Sequence, residues 1–315
     1  MFFLSLLITL LAVPFFAYIA KKIGFVDIPN GVLKIHERVI PYLGGLGMFL
    51  GALPVLWKDS FSLVIASSAV SLGLLDDIFK LNPFLRLSVE VVLSAAIVWR
   101  FVGFEDPFYS FILVVGFTGL LNAVNMIDGL DGICAGSVGI TSLFFFFLSL
   151  DNFSKDLSLT TVAICLGFLI YNFPPAKIFM GDAGSYLLGI LLSLNFAVNN
   201  RVFQFERFFS SILIIWFFVL DLGTSFLRRI RNGRSPFEGD RDHFYDKIFR
   251  RIKGDVLKRK RMTALLTYIT ILPFPFLGIS CKFNLTSLII ALVLASIYSL
   301  SFVKILNLLD YDERR

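Results

Sequence analysis

The chain has 315 residues, of which 57% are hydrophobic and 37 are Phe. Soluble domains are about 45–50% apolar, so this composition excludes an ordinary globular protein and points to an all-α, polytopic integral membrane protein. The formal charge of +6 is informative in its distribution, and the three cysteines, Cys134, Cys165 and Cys281, are too far apart for a disulfide framework or a zinc-type ligand spacing.

Apolar segments follow one another at 2–20, 44–57, 61–75, 87–103, 108–124, 133–150, 157–173, 184–199, 209–227, 263–279 and 285–303. The first lacks a basic leader and a small-residue cleavage site, so it reads as a membrane helix rather than a removed signal peptide. A span needs about 20 residues. The segments 44–57 and 61–75 are short, which makes eleven transmembrane helices the expectation and ten the alternative.

Charge supplies an independent check. With the N-terminus outside and eleven alternating helices, the inside segments 21–43, 76–86, 122–132, 174–183, 228–262 and 304–315 hold 23 of the 29 Lys and Arg residues. Lys58, Arg100, Lys155, Arg201, Arg207 and Lys282 make up the remainder outside, a strong positive-inside bias. The C-terminus is then cytoplasmic. The outside connections are short, so the chain reads as one membrane-embedded domain over 1–315, with cytoplasmic loops 21–43, 76–86, 122–132, 174–183 and 228–262. No internal repeat is visible, so the inverted-repeat architecture of many transporters has no support.

Four acidic islands fall on the inside under this topology. A carboxylate costs a few kcal/mol in hydrocarbon, so carboxylates recurring at one depth suggest a built site. The first is Asp76-Asp77, followed by Lys80. Adjacent residues point in different directions on a helix, so one Asp would face a metal or nucleophile while the other caps or pairs with Lys80. The alternative is a polar turn in which Asp caps the next helix.

The second island, Asn122-Ala-Val-Asn125-Met-Ile-Asp128-Gly129-Leu-Asp131-Gly132, repeats an oxygen-bearing side chain every three residues. On a helix this makes a slowly drifting polar stripe, and its glycines permit a break or a close backbone approach to a ligand. The third, Asn172-Phe-Pro-Pro-Ala-Lys177-Ile-Phe-Met-Gly-Asp182-Ala-Gly-Ser185, stops one helix at its prolines and starts the next. There Asp182 reads as an N-cap or a metal ligand.

The fourth lies in the basic 228–262 segment, where Gly233-Arg-Ser-Pro-Phe-Glu-Gly-Asp240-Arg241-Asp-His243 puts a tight Arg/His cluster after turn residues, suited to phosphate oxygens. The run Lys258-Arg-Lys-Arg261 reads as an anchor to anionic lipid, and His36 as a solvated surface residue. Glu90 and Asp221 are intramembrane carboxylates, functional or pairing residues with roles left open.

In order along residues 36–247, the motifs Gly44-Gly45-Leu-Gly, Asp76-Asp77-x-x-Lys80, Asn-Ala-x-Asn-x-x-Asp-Gly-Leu-Asp-Gly, Pro-Ala-x-x-Phe-Met-Gly-Asp-x-Gly-Ser and Gly-x-Ser-Pro-Phe-x-x-Asp-Arg-x-His resemble those of the polyprenyl-phosphate N-acetylhexosamine-1-phosphate transferases. The last is similar to the WecA/TagO branch rather than to MraY, whose loop carries a His-His-His run. That branch usually reads His-x-His-His, whereas this chain reads His243-Phe244-Tyr245-Asp246.

The resemblance implies transfer of N-acetylhexosamine 1-phosphate, GlcNAc first, from a UDP-sugar to undecaprenyl or another polyprenyl phosphate. UMP is released on the cytoplasmic face of the plasma (inner) membrane, in the first membrane step of cell-surface glycan synthesis. Other UDP-N-acetylhexosamines or a UDP-MurNAc-pentapeptide are the alternative donors, with Asp246 expected to repel a muramoyl peptide. The alternative class is a cation-coupled transporter.

The resemblance also implies Mg²⁺, with Mn²⁺ as a substitute. It assigns Asp182 and Asn125 to the metal, and Asp128, Gly129, Asp131 and Asn172 to the uridine nucleotide. Asp76 and Asp77 become the catalytic pair, and Lys80, Arg241 and His243 contacts to phosphate or sugar. The expected partners are the UDP-sugar, polyprenyl phosphate, membrane lipids and a second copy of the chain as a homodimer, with no nucleic acid.

Phosphate chemistry agrees with this. A phosphate monoester has a second pKa near 6 and is mostly ionised at neutral pH. Bringing two anions together is then the larger part of the barrier, which a divalent cation and cationic side chains lower.

Overall fold

A computed structural model describes residues 1–29, 39–235, 241–281 and 284–311. His36 with its neighbours Lys34, Glu37 and Arg38, and the Pro236–Asp240 portion of the basic motif, lie outside the described residues. Every expected apolar segment is helical, as hydrocarbon requires of backbone that must satisfy its own hydrogen bonds. The helices are α1 (Phe2–Ile23), α2 (Gly44–Leu56), α3 (Ser60–Phe79), α4 (Pro83–Phe101), α5 (Pro107–Met126), α6 (Ile133–Leu148), α7 (Asn152–Asn172), α8 (Gly181–Asn199), α9 (Phe205–Arg231), α10 (Phe244–Arg251), α11 (Val256–Ile271), α12 (Pro273–Ser280) and α13 (Leu285–Leu306). The strands β1 (Val26–Asp27) and β2 (Ile40–Pro41) form a two-stranded antiparallel pair.

Among the described residues, eight helices are long and apolar enough to cross a membrane, α11 and α12 counting as one broken at Pro273. Of the others, α2 has 13 residues and α6 has 16. At 1.5 Å per residue, these are shorter than the hydrocarbon core of about 30 Å. Of the remaining two, α10 has 8 residues, and α4 has span length and carries Arg86, Glu90 and Arg100.

Several helices run further than hydropathy implies, because a helix does not end where its side chains become polar. The loop expected at 76–86 shrinks to residues 80–82 between α3 and α4. The basic 228–262 segment contains the end of α9, all of α10 and the start of α11. Acidic residues at the other helix ends are caps: Asp59 accepts from Ser62 N at 2.9 Å, Asp106 from Phe108 N and Tyr109 N at 3.0 Å, and Asp151 from Ser154 N at 2.8 Å. All three cysteines are free and buried.

The chain divides into two compact units, Met1–Val202 and Phe203–Arg315. In the first, α8 is almost wholly buried, and α2, α3, α4, α5, α6 and α7 all pack against it. A helix enclosed by protein on every side does not need a lipid-facing surface, so α8 tolerates Asp182, Ser185, Asn195 and Asn199. In the second, α9 packs against α12 and α13, and α10 against α11 and α13.

Candidate active site

The polar site of the first unit forms where α3, α5 and α8 end together, and glycines set their spacing. A Cβ on Gly45 would lie 2.3 Å from Gly184 N, so α2 reaches α8 only with hydrogen there. The same contact is pinned by backbone, since Gly44 N donates to Phe179 O at 3.0 Å and Gly45 N to Met180 O at 2.9 Å. A Cβ on Gly73 would lie 2.4 Å from Asp182 O, which brings the α3 backbone directly against the first turn of α8.

That approach explains Asp77. Its Oδ2 accepts the backbone N–H of Asp182 at 3.0 Å, so it caps α8 from another helix. Asp182 itself is not the cap, contrary to one of the two readings open from sequence. It lies in the first turn of α8 behind Met180, which leaves its carboxyl free for other work. Asn125 Nδ2 donates to Asp182 Oδ1 at 3.0 Å and to Ser185 Oγ at 2.9 Å.

Asp76 is buried and, besides reaching the Asp182 side chain, has partners of its own. Its Oδ1 accepts from Leu81 N at 2.8 Å and its Oδ2 from Arg86 Nη1 at 2.8 Å. Within this Asp pair, Asp76 takes Arg86, while Lys80, whose side chain is exposed at the left-handed C-cap of α3 (φ 50°), acts on Asp77 through its charge.

The Asn122–Asp131 stripe is helical only in its first half. Asn122 and Asn125 lie on α5, which stops at Met126, and Asp128, Gly129 and Asp131 follow in the connection to α6. Gly132, at φ 79°, makes the turn into α6. Asp131 and Asn172 are buried and hold backbone in place. Asp131 Oδ2 accepts from Ala176 N at 3.0 Å, Asn172 Oδ1 from Gly132 N at 2.8 Å, and Asn172 Nδ2 donates to Ile178 O at 2.9 Å.

Gly129 is exposed and Asp128 half-exposed. The protein around the Asp128 carboxyl pushes its pKa well above the usual carboxylate range, and the charges of Asp182, Asp77 and Asp131 add to this. Burial, together with the nearby charges of Asp27, Asp77, Asp182 and Asp128, likewise pushes the Tyr42 hydroxyl up to about 12. Tyr42 therefore stands over the same acidic group, a position its sequence context, Pro41-Tyr42-Leu-Gly44-Gly45, signalled only through the glycines.

The donor set suits a hard divalent cation. Asp76, Asp77 and Asp182 interact with one another, and like charges gathered in a buried site call for a proton or a cation between them. Among the described residues, no three Asp, Glu, His or Cys side chains form a metal cage by themselves. Mg²⁺ takes one or two protein carboxylates and completes its shell with water and substrate phosphate. Asp182 offers a carboxylate to such a partial set, while the Asn125 amide gives its N–H to Asp182 Oδ1 and Ser185 Oγ and would have to turn its oxygen inward to join it.

In the second unit, His243 Nδ1 lies 2.7 Å from Asp221 Oδ2 and 3.3 Å from Ser225 Oγ, and Phe244 N donates to Asp221 Oδ1 at 3.3 Å. Asp221 thus fixes the His243 ring at the start of α10. Arg241 is exposed. Tyr245 stacks against His243 at 5.6 Å between ring centroids, and Phe244 meets Phe217 edge-on at 4.5 Å. Asp246, expected from sequence to repel a muramoyl peptide, is only 9% exposed. Burial raises its pKa to about 7, against the lowering influence of His243, Arg250 and Arg241.

Residues 60–198 match the model of the family described as glycosyl transferase family 4. The chain is 32% identical over 277 residues, 87% of each chain, to the Thermotoga maritima undecaprenyl-phosphate alpha-N-acetylglucosaminyl 1-phosphate transferase. It is 31% identical over 276 residues to the probable undecaprenyl-phosphate N-acetylglucosaminyl 1-phosphate transferase of Bacillus subtilis, covering 78% of this chain and 76% of that protein. With the Escherichia coli K12 undecaprenyl-phosphate alpha-N-acetylglucosaminyl 1-phosphate transferase it shares 27% identity over 285 residues, 78% and 74% of the two chains.

Proposed function

The chain belongs to glycosyl transferase family 4, and from that premise we propose that it transfers N-acetylglucosamine 1-phosphate from UDP-GlcNAc to a polyprenyl phosphate in the bilayer. An oxygen of the lipid phosphate forms a bond to the sugar-bearing phosphorus. The bond from that phosphorus to the bridging oxygen breaks, and its electron pair leaves with UMP. The observation that carries this reading is the meeting of Asp76, Asp77, Asn125 and Asp182 at the ends of three helices, where a membrane-bound acceptor and a water-borne donor can reach each other.

Each side chain has a task in this scheme. Asp77 holds the first turn of α8 and so aims Asp182. Asp182 and Asn125 would hold Mg²⁺, which when bound neutralises diphosphate charge and aligns the attack. Asp76, kept in one rotamer by Arg86 and Leu81 N, orients the lipid phosphate. That phosphate is already mostly ionised at neutral pH, so abstracting its proton adds little to the rate.

Asp128 and Gly129 are the accessible members of the nucleotide set. Asp131 and Asn172 serve it by holding the connection that carries them. Tyr42 and Lys80 flank the group as further contacts. The assignment of Arg241 and His243 to phosphate or sugar rests on their motif. The excess of Lys and Arg in the connections on the side of the site supports a cytoplasmic location for it.

The test uses the purified full-length chain in nanodiscs with polyprenyl phosphate, Mg²⁺ and radiolabelled UDP-GlcNAc. Lipid-linked label and stoichiometric UMP are expected. Comparing kcat/KM for UDP-GalNAc, a 6-deoxy analogue and UDP-MurNAc-pentapeptide assigns the sugar, and no product from any of these donors would overturn the reading.

A further inference from the structure

Glu90 is fully buried on α4, and an ionisable group at that depth survives only with partners. It has three, on three helices. Tyr186 OH of α8 donates to Oε1 at 2.7 Å, Asn122 Nδ2 of α5 donates to Oε2, and Arg86 Nε, one turn back on α4, lies 3.8 Å from Oε1. Residues three or four apart share a helix face. Asn122 is three residues before Asn125, and Tyr186 four after Asp182. Arg86, the third partner, is the residue that grips Asp76. One buried carboxylate therefore touches the immediate support of each of three site residues.

We propose that Glu90 is a positioning residue for the transfer reaction: it fixes the Arg86 guanidinium against Asp76 and sets the rotation of α5 and α8 that aims Asn125 and Asp182. The inference rests on the activity proposed above and deepens it. Cohesion alone does not call for a charge here, because well-packed apolar residues commonly replace a buried ion pair without loss of stability. What the carboxylate supplies is orientation. A planar guanidinium with five fixed donors, held between Asp76 and Glu90, has one rotamer, and the side chain keeps 29% of its surface open. It therefore has donors left for an arriving phosphate oxygen.

The experiment is a double-mutant cycle on the full-length protein in nanodiscs, with Glu90→Gln, Arg86→Gln and the pair, measured with UDP-GlcNAc and polyprenyl phosphate. Glu90→Gln keeps the shape and removes the charge. Its kcat should fall about 10- to 100-fold while the donor KM stays within about twofold, the pattern of an interaction lost chiefly in the transition state. The double variant should match Arg86→Gln within about twofold, since residues acting through one another are not additive. A kcat for Glu90→Gln within about twofold of wild type, or losses that multiply in the pair, overturns the proposal.

If Glu90→Gln does not give a monodisperse protein, Tyr186→Phe carries the test, because it keeps the packed ring and removes only the donated hydroxyl. A kcat fall of about threefold or more with donor KM unchanged supports the role, and a smaller change overturns it. An inactive wild-type chain would instead count against the proposed activity itself.

Discussion

Replacing Gly73 by Ala adds one methyl group where α3 meets the first turn of α8. The new Cβ would lie 2.4 Å from Asp182 C, Asp182 O and Ala183 N, whereas ordinary contact begins at 3.4 Å. The helices α3 and α8 must then separate by about 1 Å, since the repulsive wall falls on backbone atoms that cannot rotate away. Overpacking of this kind costs about 1–3 kcal/mol, of which the better helix propensity of Ala returns about 0.5–1 kcal/mol.

The larger effect is on chemistry. The displacement acts on the residue that carries the Asp182 carboxyl and on its 3.0 Å bond to Asp77, and a misplacement of about 1 Å can lower a rate by about 100-fold. The assay is kcat for lipid-linked product beside the thermal midpoint in detergent. Gly116→Ala is the control: it lies in α5, where an added Cβ meets nothing within 4 Å, and it should leave kcat unchanged and the midpoint equal or higher. Wild-type kcat in Gly73→Ala would refute the claim that this glycine sets the position of Asp182.

Asp182→Asn should lower kcat by about 100-fold or more, in keeping with the several kcal/mol of charge stabilisation a bound cation supplies. In addition, Mg²⁺ should raise the thermal midpoint of the wild type and not of the variant; equal midpoint shifts would remove Asp182 from the metal set. For topology, Cys introduced at Asn152 and at Ser235, both exposed, should label from opposite faces of the membrane, the native cysteines being buried. Labelling of both from outside would overturn the alternation of spans on which the proposed orientation rests.

Asp246 makes a pH prediction. With its pKa raised to about 7 by burial, the folded protein keeps a proton that the unfolded chain sheds near pH 4, so its contribution to stability declines as pH rises from about 4 to about 7. Asp246→Asn should therefore raise the thermal midpoint relative to wild type at pH 8 and not at pH 4; an unchanged difference between the two pH values would show that the buried carboxyl is not the cause.

The all-α, polytopic fold was legible because it depends on local pattern. Long apolar runs in lipid have one backbone solution, and an acid- and amide-rich stretch such as Asn122–Asp131 cannot be explained as a lipid-facing surface. Hydropathy overstates the length of the connections, since it marks where hydrocarbon ends and not where backbone hydrogen bonding stops. For that reason the Asp76–Arg86 pair, separated by a loop of three residues, was hidden inside a supposed eleven-residue segment.

Partner choice was beyond the sequence. That Asp77 caps α8, that Asp131 and Asn172 hold backbone, that Tyr42 stands over the acidic group, and that Glu90 joins Arg86, Asn122 and Tyr186 are all contacts between residues distant in the chain. Which donors a buried carboxylate accepts from depends on how closely two helices approach and at what rotation. Those quantities are set by glycines such as Gly45 and Gly73 at crossings that only the assembled helices define. Sequence by itself determined that this protein would place carboxylates at helix ends in a membrane; the tertiary structure decided which of them are aimed and which do the aiming.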